Sequence, residues 1–145
     1  MRKPKPIYRE LVEKLGLDHR LPEIMAEPAV SKALAHLYAE AAELLPSFDV
    51  ETDHSPVMRS PGAFAAKLSH AQKCIVLNGA LIETFENPSE VREFLTFHEL
   101  GHALIQNPLS GTDLDHEGCC DLLGLYAMDI NQHEAPEVQE LSATV

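Results

Sequence analysis

Between Asn87 and Pro108 the chain has little choice but to be helical. Asn87 can cap, Pro88 suits the first helical position, and Glu90 completes a capping box. Pro108 cannot continue a helix, so the pattern predicts one from residue 88 to about Gln106. Its residues Phe94, Leu95, Phe97, Leu100, Ala103, Leu104 and Ile105 are nearly all apolar, which places this helix inside the protein. Two histidines and a glutamate interrupt it as His98-Glu99-Leu100-Gly101-His102. Polar groups on a buried helix need partners, and a metal ion is an economical one.

A separation of four residues is close to one helical turn, so both imidazoles project from the same face. Two nitrogens placed this way can meet one tetrahedral zinc ion. Glu99 stands between them, near the metal without ligating it, where a carboxylate can take a proton from water. A third ligand should follow closely. Only 14 residues separate His102 from Glu117, and Asp121 lies one turn beyond Glu117. Glu117 is read as the third ligand, with Asp121 accepting a hydrogen bond from the far nitrogen of a ligating histidine. His116 competes and would give an all-histidine set. Adjacent residues differ by about 100° around a helix, and sequence leaves both possibilities open. The longer metzincin pattern is absent, since Ile105 and Pro108 stand where its glycine and third histidine belong.

The rest of the chain reads coarsely. Ile7, Leu11 and Leu15 predict a short helix, 7–15, ended at Gly16. Pro28 opens a second, with Val30, Ala33, Leu34, Leu37, Ala41 and Leu44 on one face and His36 on the wet one. Phe48, Val50 and Thr52 alternate with acids, as in a half-buried strand. Pro56, Pro61 and Gly62 mark a loop. Gly62–Leu68 and Lys73–Asn78 are two strand candidates joined as a hairpin by 69–72. His54 and His70 fall beside turns and read as polar loop residues. Thr112 can cap a helix from about 113 to 129, and 131–145 reads as a polar tail with one helical turn at most.

The run Lys73-Cys-Ile-Val-Leu-Asn78, followed by Glu93-Phe-Leu-Thr-Phe-His-Glu-Leu-Gly-His-Ala-Leu104, resembles the heart of the ImmA/IrrE-type zinc metallopeptidases. That family follows its HExxH helix with Glu-x-x-Ala-Asp/Asn-x-Phe-Ala. Here the segment is Glu117-Gly-Cys-Cys-Asp121-Leu-Leu-Gly124, with Cys120, Leu123 and Gly124 keeping small or apolar character. The proline usual after that helix is missing. The likeness spans roughly 62–129 and implies an α+β, gluzincin-like fold: a short twisted mixed sheet on the HExxH helix, with further helices around it. It also implies a strand that receives substrate as an added strand, a role falling on Lys73, Cys74, Ile75, Val76, Leu77 and Asn78. An edge strand suits that role because its backbone groups are unpaired; the other reading makes 73–78 a paired strand in the core of the sheet.

The whole chain, 145 residues, fits one domain: N-terminal helices in 1–46, a catalytic core in 62–129 and a tail. The net charge is −12, and no Lys or Arg follows Arg92, so direct nucleic-acid binding is not expected. The six basic residues among the first 20 are expected to lie near the acidic half. No apolar run is long enough to span a membrane. Three cysteines and no secretory start point to reduced thiols in the cytoplasm, with Cys119-Cys120 as buried small side chains. The expected function is a zinc peptidase cutting a partner protein, and the resemblance suggests a regulatory target such as a transcriptional repressor in a phage, mobile-element or stress setting. Two alternatives stand beside it. One is a zinc-binding regulator of the same fold that does not cut, against which Glu99 argues. The other is an SprT-like three-histidine protease directed to DNA, against which the charge argues.

Overall fold

The computed structural model describes the backbone of residues 6–109 and 111–144 and the side chains of residues 7–109 and 111–130. Arg2, Lys3 and Lys5 of the basic start lie outside them. The elements run α1 (Pro6–Leu15), α2 (Leu21–Ala26), α3 (Pro28–Leu44), β1 (Asp49–Asp53), β2 (Ala66–Ser69), β3 (Cys74–Asn78), α4 (Gly79–Ile82), α5 (Pro88–Leu104) and α6 (His116–Thr144). This is a mixed α+β arrangement. Short 3₁₀ turns occupy Leu45–Ser47 and Pro56–Arg59.

The sheet has the order β1-β3-β2, with β1 parallel and β2 antiparallel to β3. Alternation along β3 buries Ile75 and Leu77, and Asn78 at its end is buried too. β1 is less buried than its alternation predicts, with Val50 39% exposed. It is an edge strand whose first residues nothing covers, and the anchoring apolar group is Phe48 just before it. Asn78 ends β3 turned inward. Its amide donates to the carbonyls of Met58 and Phe64, and its oxygen accepts from Leu81 N–H, which caps α4.

Helix α5 is the centre of the core. It packs on β2 and β3 on one side and along α6 on the other. Tyr38 of α3 closes the layer, stacked on Phe97 with ring centroids 5.2 Å apart and edge-on to Tyr126 at 5.9 Å. The ends of α5 differ in detail from expectation. The Asn87 side chain does not cap the backbone but accepts from Ser89 Oγ at 2.9 Å, and Glu90 is buried. The helix stops at Leu104 because Ile105 turns extended.

Thr112 does not cap α6. Its hydroxyl donates to Leu109 C=O at 3.1 Å, and Asp115 accepts from Gly118 N–H at 2.8 Å instead. The helix therefore starts at His116. Its backbone continues to Thr144, well past the expected end, with Pro136 inside the segment.

Helices α5 and α6 approach closely at two glycines. A Cβ at Gly101 would stand 3.1 Å from Cys120 Sγ, and one at Gly124 would stand 2.6 Å from the Phe94 carbonyl oxygen. The second distance is impossible without moving a helix backbone. Gly124→Ala should therefore destabilise the protein by about 1–3 kcal/mol. Calorimetry of the metal-free protein should show a Tm lowered by several degrees, and an unchanged Tm would mean the helices do not touch there.

Candidate metal centre

The two HExxH histidines and α6 meet at one corner of a cleft of about 550 Å³. Its walls include Gly16 and Leu17 after α1, Ala65–Leu68 with β2, and Phe94, Leu95, His98, Glu99 and His102 of α5. Glu117 and Asp121 complete it from α6. The helical spacing does what it predicts. His98 Nε2 and His102 Nε2 lie 3.3 Å apart, and the Glu117 carboxylate faces both, at 3.1 Å from His98 Nε2 and 3.3 Å from His102 Nε2.

That triangle can be tested against a metal. Ligands at 2.0–2.1 Å in a tetrahedron are separated by about 3.3–3.4 Å. The 3.3 Å between the two nitrogens matches that spacing, and Glu117 meets them with its two oxygens, Oε2 at 3.1 Å from His98 Nε2 and Oε1 at 3.3 Å from His102 Nε2. The chemistry agrees as well: two imidazole nitrogens and a carboxylate converge on one point, an arrangement a divalent cation satisfies. His98, His102 and Glu117 therefore fit a metal ion, and Glu117, with its side chain 63% exposed, leaves the centre open to the cleft.

Asp121 sits where expected. Its Oδ1 lies 2.7 Å from His98 Nδ1, the nitrogen facing away from the triangle. The approach angle falls short of a formed hydrogen bond, so this is a close charge contact that a small ring rotation would complete. Burial pushes the His98 pKa down, but Asp121, helped by Glu99 and Glu117, overcomes it and leaves the net shift upward. His102 has no such carboxylate, and burial together with the neighbouring His98 lowers its pKa. Glu99 is buried, and desolvation raises its pKa. A bound dication would oppose that rise.

His116 does not join the triangle. Its Nε2 lies 3.0 Å from His102 Nδ1, on the far side of that ring. A set in which His98, His102 and His116 share one ion is therefore not assembled, and of the two candidates left open by the sequence Glu117 takes the third place. Behind His116, Cys120 Sγ approaches its Nε2 at 3.7 Å, and Cys119 and Cys120 are both wholly buried, as expected of small apolar side chains. His36, His54 and His70 are exposed and none of them lines the cleft. His54 pairs with Glu83 at 2.9 Å.

The expected substrate strand is a correction. Lys73 belongs to the turn before β3, and Cys74–Asn78 form the middle strand, with β1 on one edge and β2 on the other. Its backbone groups are already spent. The free edge at the cleft belongs to β2, which sequence reading passed over. Asn78 N–H bonds Ala65 C=O, so Lys67 and Ser69 also face β3, and by alternation Ala66 and Leu68 point their backbone groups outward.

No protein-family model, curated protein or solved structure matches the chain. Among the described residues no helix is long and apolar enough to cross a membrane.

Proposed function

We propose that the chain is a zinc-dependent peptidase of the ImmA/IrrE-like zincin type, cutting a peptide bond in a partner protein. The observation that carries this reading is the triangle of His98, His102 and Glu117 with the Glu99 carboxyl beside it, 3.7 Å from His98 Nε2. Zinc bound there would supply Lewis acidity and bring the pKa of water at the open position toward neutrality. Glu99 takes the proton from the attacking water and passes it to the departing amine. Glu99 is buried in the cleft wall beside β2, within reach of the open position. His98 and His102 present Nε2 inward, the former steadied by Asp121. An extended peptide would lie along the open edge of β2, pairing with the outward backbone groups around Ala66. A regulatory partner such as a repressor is the substrate class in keeping with the family likeness.

The test is metal analysis of purified protein followed by hydrolysis of an extended, unstructured polypeptide. One equivalent of zinc is expected. A chelator should abolish cleavage, and added zinc should restore it. A zinc-loaded protein that binds its partner yet never cuts would favour the non-enzymatic regulator. A protein that takes up no zinc after reconstitution would end the proposal.

A further inference from the structure

Each ligating imidazole has a second nitrogen, and what that nitrogen meets decides whether the ring can be held. For His98 it meets Asp121. For His102 it meets another histidine: His116 Nε2, at 3.0 Å, with ring centroids 4.9 Å apart. We infer that His116 is a positioning residue, which accepts the His102 Nδ1–H hydrogen bond and so holds His102 with its Nε2 lone pair turned toward the metal. The inference rests on the metal ligation proposed above and not on hydrolysis.

The tautomers follow from counting protons. A neutral imidazole carries one N–H. If His102 gives its Nε2 lone pair to a metal, its proton is on Nδ1 and needs an acceptor. His116 Nε2 is in place, so His116 must carry its own proton on Nδ1. The His116 ring is seated against Cys120, one turn further along α6, whose Sγ is 3.7 Å from the same Nε2. Helix α6 thus offers two pairs at four-residue spacing. Glu117 and Asp121 serve His98 and the triangle, and His116 and Cys120 back His102.

A rival arrangement exists, because His102, His116 and Cys120 also lie close enough together to share an ion. The cleft favours the first set, since its walls include His98, His102 and Glu117 but neither His116 nor Cys120. Both groups cannot use a neutral His102 at once, since one lone pair serves one ion.

The experiment compares wild type with His116→Leu, which removes the acceptor, and His116→Gln, whose side-chain oxygen can replace it. Zinc affinity is read by competition with a chromophoric chelator, and imidazole protonation by ¹⁵N NMR of the zinc-loaded protein. His116→Leu should weaken zinc binding about 10–100-fold, within the range for residues that orient ligands. Its metal-free Tm should stay near wild type, and His116→Gln should recover most of the affinity. In zinc-loaded wild type, His102 should be protonated at Nδ1 and His116 at Nδ1, with His116 Nε2 bare; this reading needs no variant to fold. Undiminished zinc binding by His116→Leu, or a proton on His116 Nε2, would overturn the inference. So would a thiolate-to-cobalt absorption band in cobalt-loaded wild type that Cys120→Ala abolishes, since it would put the metal on the rival set. Failure of wild type to bind zinc at all would overturn both this inference and the metal reading beneath it, whereas zinc binding with no orienting effect leaves that reading intact.

Discussion

Glu99→Gln is expected to cut peptide hydrolysis by about 10²–10⁴-fold while zinc stays bound at one equivalent. The substitution preserves volume and keeps a side-chain oxygen in place, so the wall of the cleft should not move. What it removes is the group that takes the proton. Burial raises the Glu99 pKa in the folded, metal-free protein. The folded state then holds a proton that the unfolded state releases, so ionisation of Glu99 makes the fold less stable as pH rises through the carboxylate range. The amide has no such penalty. Metal-free Glu99→Gln should be at least as stable as wild type at neutral pH, and the difference should close in acid, where both carry a neutral side chain. Calorimetry across pH checks the sign. Zinc-loaded Glu99→Gln that hydrolyses at the wild-type rate would remove Glu99 from the chemistry.

The second large effect is on the metal itself. His98→Ala should lose zinc outright on dialysis, because it deletes the ligand with the closest supporting contact and strands Asp121. Glu117→Ala should also weaken zinc sharply. Asp121→Asn keeps all three ligands and should lose only on the order of 10–100-fold. The ranking follows from position: His98 is nearly enclosed, at 13% side-chain exposure, while Glu117 is 63% exposed and water can take its place at the ion. Metal analysis and competitive titration read the order. Full zinc retention by both His98→Ala and Glu117→Ala would refute the triangle as the metal centre. Because metal binding stabilises only the folded state, the rise in Tm on adding zinc should shrink in the same order across the variants.

How far this was legible before the fold was known depends on the range of each signal. The core helix and its HExxH face are written in consecutive residues, and Glu117 follows within the next helix, so local spacing reaches them. The place of His116 was not reachable. Two adjacent residues on α6 both approach His102, one at each of its nitrogens, and a helical angle distinguishes directions but not opposite sides of a ring. The strand assignment failed for a different reason. Whether Cys74–Asn78 is an edge or a centre depends on Asp49–Asp53 returning beside it in parallel, a pairing about 25 residues away in sequence, and nothing in the strand's own residues encodes its neighbours. Thr112 was a sound cap by type, but it spends its hydroxyl on Leu109 in the preceding turn, which leaves Asp115 to begin α6.

Strand β2 divides this site in a way the metal ligands alone do not. The groups that would hold the ion come from α5 and α6, whereas Ala66, Lys67 and Leu68 of β2 line the same cleft and contribute nothing to the ion. On the function proposed above, affinity for metal and speed of turnover would thus be separable. Slackening the hairpin around His70–Lys73 would leave a protein that is fully loaded yet slow, and variation in that turn offers a way to tune or silence the chemistry without emptying the centre.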